Sequence, residues 1–296
     1  CNSDRPFQIQ TVNMRFREAS FDLLSDFLTY LNKINKLKLR NVRKYSGNFR
    51  DARLTEYVLL MTKELKLEAA AGYHAIEILQ RFIVKHLSDQ AQLLDSMQGP
   101  EDGVFAVLKE KFPILVFSCV QLSSKLSFLG CIIDNDTAVG FLHSVGHSVS
   151  KQALLESELM VLKGLEFRVN DPNPLTYVEV LLEVLGNNRP SVPVERLHEL
   201  CHHVLQFVSL ERNAIFESLL VSTTQRASPS EEQREKFVAV TEDYMLLGVG
   251  VIAVASFIHC FKRWGKIVEE LSHITGISSR SISDFAHVTL KHIVGA

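Results

Sequence analysis

The 296-residue chain is long for one compact core, and two domains of roughly 100–150 residues each account for it better. A composition that is 46% hydrophobic and 22% charged excludes wholesale disorder. A formal net charge of -2 excludes a global attraction to nucleic acid or to an anionic membrane, so binding to either would need a local patch.

Nothing before Phe21 has the apolar core of a secretory signal. Ser20 is placed to cap a helix whose apolar stripe is Phe21, Leu24, Leu28, Leu31 and Ile34. A basic stretch follows, with Lys33, Lys36, Lys38, Arg40, Arg43 and Lys44. Apolar positions then recur at three and four, which predicts helices over 50–67, 69–87, 104–110, 113–127, 137–145 and 151–165. Asn170-Asp171-Pro172-Asn173-Pro174 cannot continue a helix and marks the sharpest boundary. Helical patterns resume over 175–186, 193–209, 211–221, 235–262, 264–275 and 280–293. The expected class is therefore all-α, with an N-terminal helix and basic segment over 1–45, a first domain over 46–170 and a second over 171–296. Thr223 to Glu232 is polar and predicts a mobile loop near 222–234, in which Ser228-Pro229 reads as a turn ahead of a phosphorylation site.

Tyr244–Phe261 carries no Asp, Glu, Lys or Arg and sits at the lower edge of a membrane span. Its Gly, Ala, Ser and His259 residues favour a core helix buried on all sides, and no membrane contact is expected. Gly248-Val249-Gly250 resembles part of a dinucleotide fingerprint, but no strand precedes it. Cys1, Cys119, Cys131, Cys201 and Cys260 lack C-x-x-C spacing and mostly lie in apolar runs, which suits buried thiols in a reducing compartment, cytosol or nucleus. His143 and His147 are four apart without an intervening glutamate, and Cys201-His202-His203 has no second ligand pair, so no metal is expected. P-loop, G-x-S-x-G and acid/base signatures are missing, which points to a non-catalytic binding protein without a cofactor.

Two charges are misplaced. On a helical wheel of 151–165, Leu154, Leu155, Leu159, Val161, Leu162 and Leu165 form one apolar arc, and Glu158 falls inside it. On 113–127, which is apolar or small nearly all round, Lys125 shares a narrow strip with Ser118 and Gln121. Burying either charge alone would cost several kcal/mol, so two readings stand: Lys125 and Glu158 pair at the mouth of a groove where lysine donates and glutamate accepts, or Lys125 snorkels to solvent at its helix end while Glu158 lines a loop.

Leu122-Ser123-Ser124-Lys125-Leu126 resembles the LLASKF segment of cyclins, and Glu158 to Leu165 resembles their ExxVLKxL helix. Leu165-Glu166-Phe167, followed by Asp171 to Pro174, is similar to the LxFxxxxPT passage between the two cyclin boxes. Ala75 to Phe82 fits AVNYIDRF, and Val251 to Phe257, Arg263-Trp264 and Leu271 to Gly276 follow the order of the second box. The likeness is strongest to a divergent branch associated with meiotic crossing over. The resemblance implies two stacked five-helix cyclin boxes, a nuclear and chromosome-associated location, and a cyclin-dependent kinase as partner, with meiotic recombination proteins as further partners. It also implies that Lys125 and Glu158 contact the kinase, while Leu122, Leu126, Leu162, Phe167 and Val169 pack on its regulatory helix.

Departures limit this expectation. In the MRxxLxxW entry of the family, Asp51 stands for the arginine, Glu56 for the aspartate and Tyr57 for the tryptophan, so RxL-type substrate docking is not expected. Leu126-Ser127 replaces the usual aromatic and acids after the lysine, which implies kinase binding rather than ordinary activation. A second reading is a cyclin-fold scaffold or nucleic-acid binder that uses the cations from Lys33 to Lys44 on phosphates. A solvated helix end or nuclear-import signal explains those cations more simply.

Overall fold

The structure is a computed structural model that describes residues 16–42, 46, 50–97, 102–127 and 132–295, with the side chains of 87–97 and 102–110 set aside. Among the described residues every regular element is helical: α1 (Phe21–Arg40), α2 (Ala52–Glu64), α3 (Ala69–Met97), α4 (Asp102–Leu126), α5 (Asn135–Ser144), α6 (Lys151–Gly164), α7 (Pro174–Asn188), α8 (Val194–Leu210), α9 (Arg212–Thr224), α10 (Glu231–Thr241), α11 (Tyr244–Thr275) and α12 (Ser279–Gly295). The chain divides into two compact units, one containing Leu54–Asp171 and the other containing Arg15–Arg53 with Pro172–Ala296.

In the first unit α4 is the central element and packs on α3 and α6. Its Leu115, Val116, Phe117, Cys119, Val120 and Leu122 are buried, as the apolar run from Pro113 requires. The sequence pattern breaks this helix at Pro113, but α4 runs through it. Proline removes one backbone donor and strains one turn. Burial of the following turns on both sides outweighs that local cost. Ser123 Oγ donates to the Ala71 carbonyl of α3 at 2.6 Å, and Ser118 Oγ to Ser157 Oγ of α6 at 2.9 Å, so small polar residues close these helix contacts.

In the second unit the uncharged stretch is the N-terminal part of α11. Val249, Val251, Ile252, Ala253, Val254 and Ala255 are fully buried, and α11 packs on α7, α8 and α12. This helix is long and apolar enough to cross a membrane, yet 67% of its apolar window is buried within the protein, while Ile258 and Phe261 at the end of the stretch are exposed. Gly250 lies under the Phe285 ring, where an added Cβ would come within 2.2 Å of Cδ1. The glycines of the apparent dinucleotide fingerprint thus permit close helix packing. The helix breaks at Cys260 (φ -154°, ψ 86°), and the Trp264 indole N–H spans the break to the Ala253 carbonyl at 3.0 Å.

Helix α1 belongs to this unit and packs mainly on α7. Ser20 caps it, Leu31 is fully buried, and Asn35 donates to Asp243 Oδ1 (2.8 Å) while accepting from the Tyr244 N–H (3.0 Å), which fixes the start of α11. Of the expected stripe, Phe21 is instead exposed. The polar stretch after Leu220 is shorter as a loop than the sequence suggests. Helix α9 continues to Thr224, and α10 begins at Glu231 with a reciprocal capping box between Ser230 and Gln233. The S-x-x-Q signal starts this helix four residues before the one expected at 235, and the single helix expected over 235–262 is two, α10 and the first part of α11, separated at Glu242-Asp243.

Two outcomes test this packing. Gly250→Ala should destabilise the second unit by about 1–3 kcal/mol through overpacking against Phe285, measured by chemical denaturation; unchanged stability would refute the close approach. His74 Nε2 donates to the Val169 carbonyl at 2.6 Å, and burial lowers its imidazole below the ordinary 6.5, against the opposing pull of that carbonyl and of nearby Glu77 and Asp171. A depressed base binds its proton less well folded than unfolded, so this contribution is fully present above 6.5 and is lost as the pH falls below it. Thermal unfolding of His74→Gln should therefore lose less stability on acidification from neutrality than the wild type loses.

Candidate functional site

The site is built by two helices and the chain that leaves the second. Along α6 the apolar arc expected from the wheel splits into two rows. Leu154, Glu158, Val161 and Leu165 form the buried row against α4, whereas Leu155 and Leu159 are exposed and Leu162 is half-buried. The spacing of four, three and four puts each row on one side of the helix. A carboxylate therefore sits in the core row, with a row of leucines beside it at the surface.

Lys125, in the last turn of α4, meets that carboxylate: Nζ donates to Glu158 Oε1 at 2.6 Å. The lysine side chain is 35% exposed and the glutamate side chain 10%, so the pair lies at the rim of the unit. Glu158 Oε2 is buried and has no hydrogen-bond donor among the described residues. A buried acceptor of this kind gains when an incoming N–H reaches it. Gln121, in the same strip, is anchored inward by its Nε2, which donates to the Ile133 carbonyl (3.2 Å) and to Asn135 Oδ1 (2.9 Å).

Phe167 reaches the surface by a different route. After the last turn of α6, Glu166 and Phe167 both take left-handed backbone (φ 53° and 60°), while the Phe167 N–H bonds to the Leu162 carbonyl at 2.8 Å. Left-handed backbone at two consecutive residues with side chains costs about 1–2 kcal/mol each, so the surroundings must hold it. One face of α3 does so. His74 bonds the Val169 carbonyl, Arg81 pairs with Asp171 at 3.1 Å, and Lys85 pairs with Glu166 at 2.6 Å. The Lys85 hydrogen bond and charge hold the Glu166 carboxyl below its ordinary range. Clamped in this way, the Phe167 ring is 64% exposed.

The seven residues expected at the interface therefore divide. Lys125, Phe167, Leu126 and Leu162 present exposed or half-exposed surface, and Glu158 is buried just behind the rim, bonded to Lys125. Leu122 and Val169 are buried and support the site from beneath. Leu155 and Leu159 are exposed beside Glu158, and the sequence reading assigned them to the core arc because a wheel shows which residues share a face but not where a neighbouring helix ends. His74, Arg81 and Lys85 carried no signal at all, since their partners lie far along the chain.

The basic segment is less uniform than its sequence. Lys33, Lys36 and Arg40 are exposed on α1 at a spacing of three and four. The Lys38 ammonium instead lies 3.6 Å above the Tyr244 ring, and Arg43 and Lys44 fall outside the described residues. Arg50 is buried and pairs with Glu242, which also accepts from Arg212 at 2.9 Å.

No protein-family model matches the chain. It is 42% identical to Cyclin N-terminal domain-containing protein 1 of Homo sapiens, covering 99% of this chain and 91% of that protein. Against the Mus musculus protein of the same name the identity is 40%, covering 99% and 90%. Identity at this level along nearly the whole of both sequences places the chain in the cyclin-like family of Cyclin N-terminal domain-containing protein 1.

Proposed function

We propose that the chain is a non-catalytic cyclin-like regulatory subunit that binds a cyclin-dependent kinase through the α4–α6 face of its first unit. The observation that carries this reading is the Lys125–Glu158 pair. A cation and a half-satisfied carboxylate sit at the rim, bordered by exposed Leu155, Leu159 and Phe167. Apolar anchors around a few oriented polar groups are the usual composition of an energetically dominant interface patch. Lysine would donate to a carbonyl of the kinase, and Glu158 Oε2 would accept a backbone N–H. A helix of the kinase would lie across the leucine row.

Binding of this kind regulates by differential affinity: a kinase conformation whose regulatory helix fits the face is populated at the expense of the others. Leu126-Ser127, in place of an aromatic residue and acids, limits the reading to binding, with any activation depending on what the kinase itself supplies. The sequence likeness to the branch associated with crossing over supports action in the nucleus, in meiotic recombination and crossover formation, with recombination proteins as further partners. On this reading the two helical units correspond to two cyclin boxes.

Glu158→Lys and Lys125→Glu should each abolish copurification of the kinase, while circular dichroism stays helical. Combining the two restores an internal pair in reversed order but should not restore binding, because the kinase reads the polarity. Leu159→Glu should also weaken binding by at least about tenfold while changing stability by no more than about 0.5 kcal/mol, since the side chain is exposed. Normal kinase capture by Leu159→Glu and by the charge variants would refute the interface.

A further inference from the structure

The second unit contains a cluster that the kinase reading does not use. Glu179 projects from α7, and His198 and His202 project from α8 one turn apart. His198 Nε2 lies 3.0 Å from Glu179 Oε1 and 3.2 Å from His202 Nε2, and all three ligand atoms fall within 4.8 Å of one another. Both histidines are buried, and the Phe16 ring packs edge-on against His198 with centroids 5.3 Å apart. Glu179 is partly open, its side chain 26% exposed, so the cluster has a mouth on that side.

Hydrogen bonding alone leaves this arrangement in conflict. A carboxylate oxygen only accepts, and a neutral imidazole Nε2 either donates one proton or offers one lone pair. His198 Nε2 has two neighbours and at most one proton, which cannot point squarely at both. Charging both rings at 3.2 Å would place two cations side by side in a buried setting. A single ion between the three atoms resolves the conflict, because each then directs a lone pair at the same point.

The spacing suits such an ion. Zinc bonds of about 2.0–2.1 Å at tetrahedral angles put neighbouring donor atoms about 3.3–3.4 Å apart. Two of the three separations are within a few tenths of an ångström of that figure, and the third, Glu179 to His202, lies within 4.8 Å and closes on an ion by rotation of the partly exposed Glu179 side chain. Two imidazoles and one carboxylate form a borderline ligand set that selects zinc-type ions over magnesium or calcium. We propose that α7 and α8 hold a divalent transition-metal site of the zinc type, with Glu179, His198 and His202 as its three protein ligands and a water or external donor completing the shell at the mouth.

The two histidines lie in His198-Glu199-Leu200-Cys201-His202, which has H-E-x-x-H spacing. In hydrolases with that spacing the glutamate serves as general base beside the metal. Here the Glu199 side chain is largely exposed and lies 3.8 Å from Arg196, turned to solvent and away from the cluster. The site therefore fits a staple between α7 and α8, or a point where an outside ligand completes the shell, and not a hydrolytic centre. His143 and His147, the pair with matching spacing that the sequence reading weighed, do not form such a site. Helix α5 ends at Ser144, which leaves only His143 on it.

Chelator-treated full-length chain titrated with cobalt(II) tests the site. One equivalent per chain should bind with the strong visible absorption of four-coordinate cobalt. Zinc should displace it and raise the melting temperature, whereas magnesium should do neither. The double variant His198→Gln, His202→Gln should lose the absorption and the zinc-dependent shift. Glu179→Gln, which alters a partly exposed side chain, should fold normally and weaken cobalt binding by at least about tenfold. If the double variant unfolds, Glu179→Gln and the wild-type stoichiometry decide. A wild type that takes up no cobalt, or variants that bind it as the wild type does, would overturn the proposal.

Discussion

A carboxylate taken out of water inside a helical bundle costs several kcal/mol unless a donor meets it, and both units are arranged around carboxylates that have been met. In the second unit Glu242 lies between Arg50 and Arg212, Glu270 accepts from Arg189 and Asn188, and Glu183 accepts from the Arg17 backbone N–H at 2.5 Å. These contacts join segments far apart in sequence and specify which helix neighbours which. Apolar stripes alone would tolerate several pairings, since leucine rows pack on one another without much discrimination. A buried charge tolerates only the pairing that brings its partner.

In the first unit the same constraint takes a different form at Glu158. Its partner, Lys125, is a third exposed, and one of its oxygens is left without a donor. Glu183 also keeps one such oxygen, but no large exposed apolar side chain flanks it on α7. At Glu158 the unsatisfied acceptor, the accessible cation and the exposed leucine row coincide. That coincidence distinguishes a face prepared for a partner from a pair whose role is internal. The strained turn at Glu166 and Phe167, held by three side chains of α3, adds an aromatic ring to the surface that follows α6.

Much of this could be read along the chain. The all-helical class, the break at Asn170 to Pro174, the burial of most of 244–256 in the uncharged stretch, whose end at Ile258 and Phe261 is instead exposed, and the pairing of Lys125 with Glu158 all follow from local pattern and from the cost of buried charge. Each concerns residues close in sequence or a charge with few possible partners. Reading went astray where local signals conflict with packing. Pro113 reads as a helix break, but α4 runs through it and the run from Leu115 that follows is buried. The segment from Thr223 to Glu232 reads as a loop, because the first turn of α10 buries nothing and only its capping box marks the start at Glu231.

What the sequence determined by itself was therefore periodicity and expense: which residues share a helix face, and which charges stand where solvent should not reach. Periodicity is a property of the backbone repeat and needs no knowledge of neighbours. Tertiary structure decided which half of each face is covered. It divided the α6 arc into a core row and an open row, sent Lys38 onto Tyr244 and away from solvent, and brought Glu179 to His198 and His202. Those outcomes depend on where another helix lies in space, and a helix edge leaves no mark on the sequence of the helix it covers.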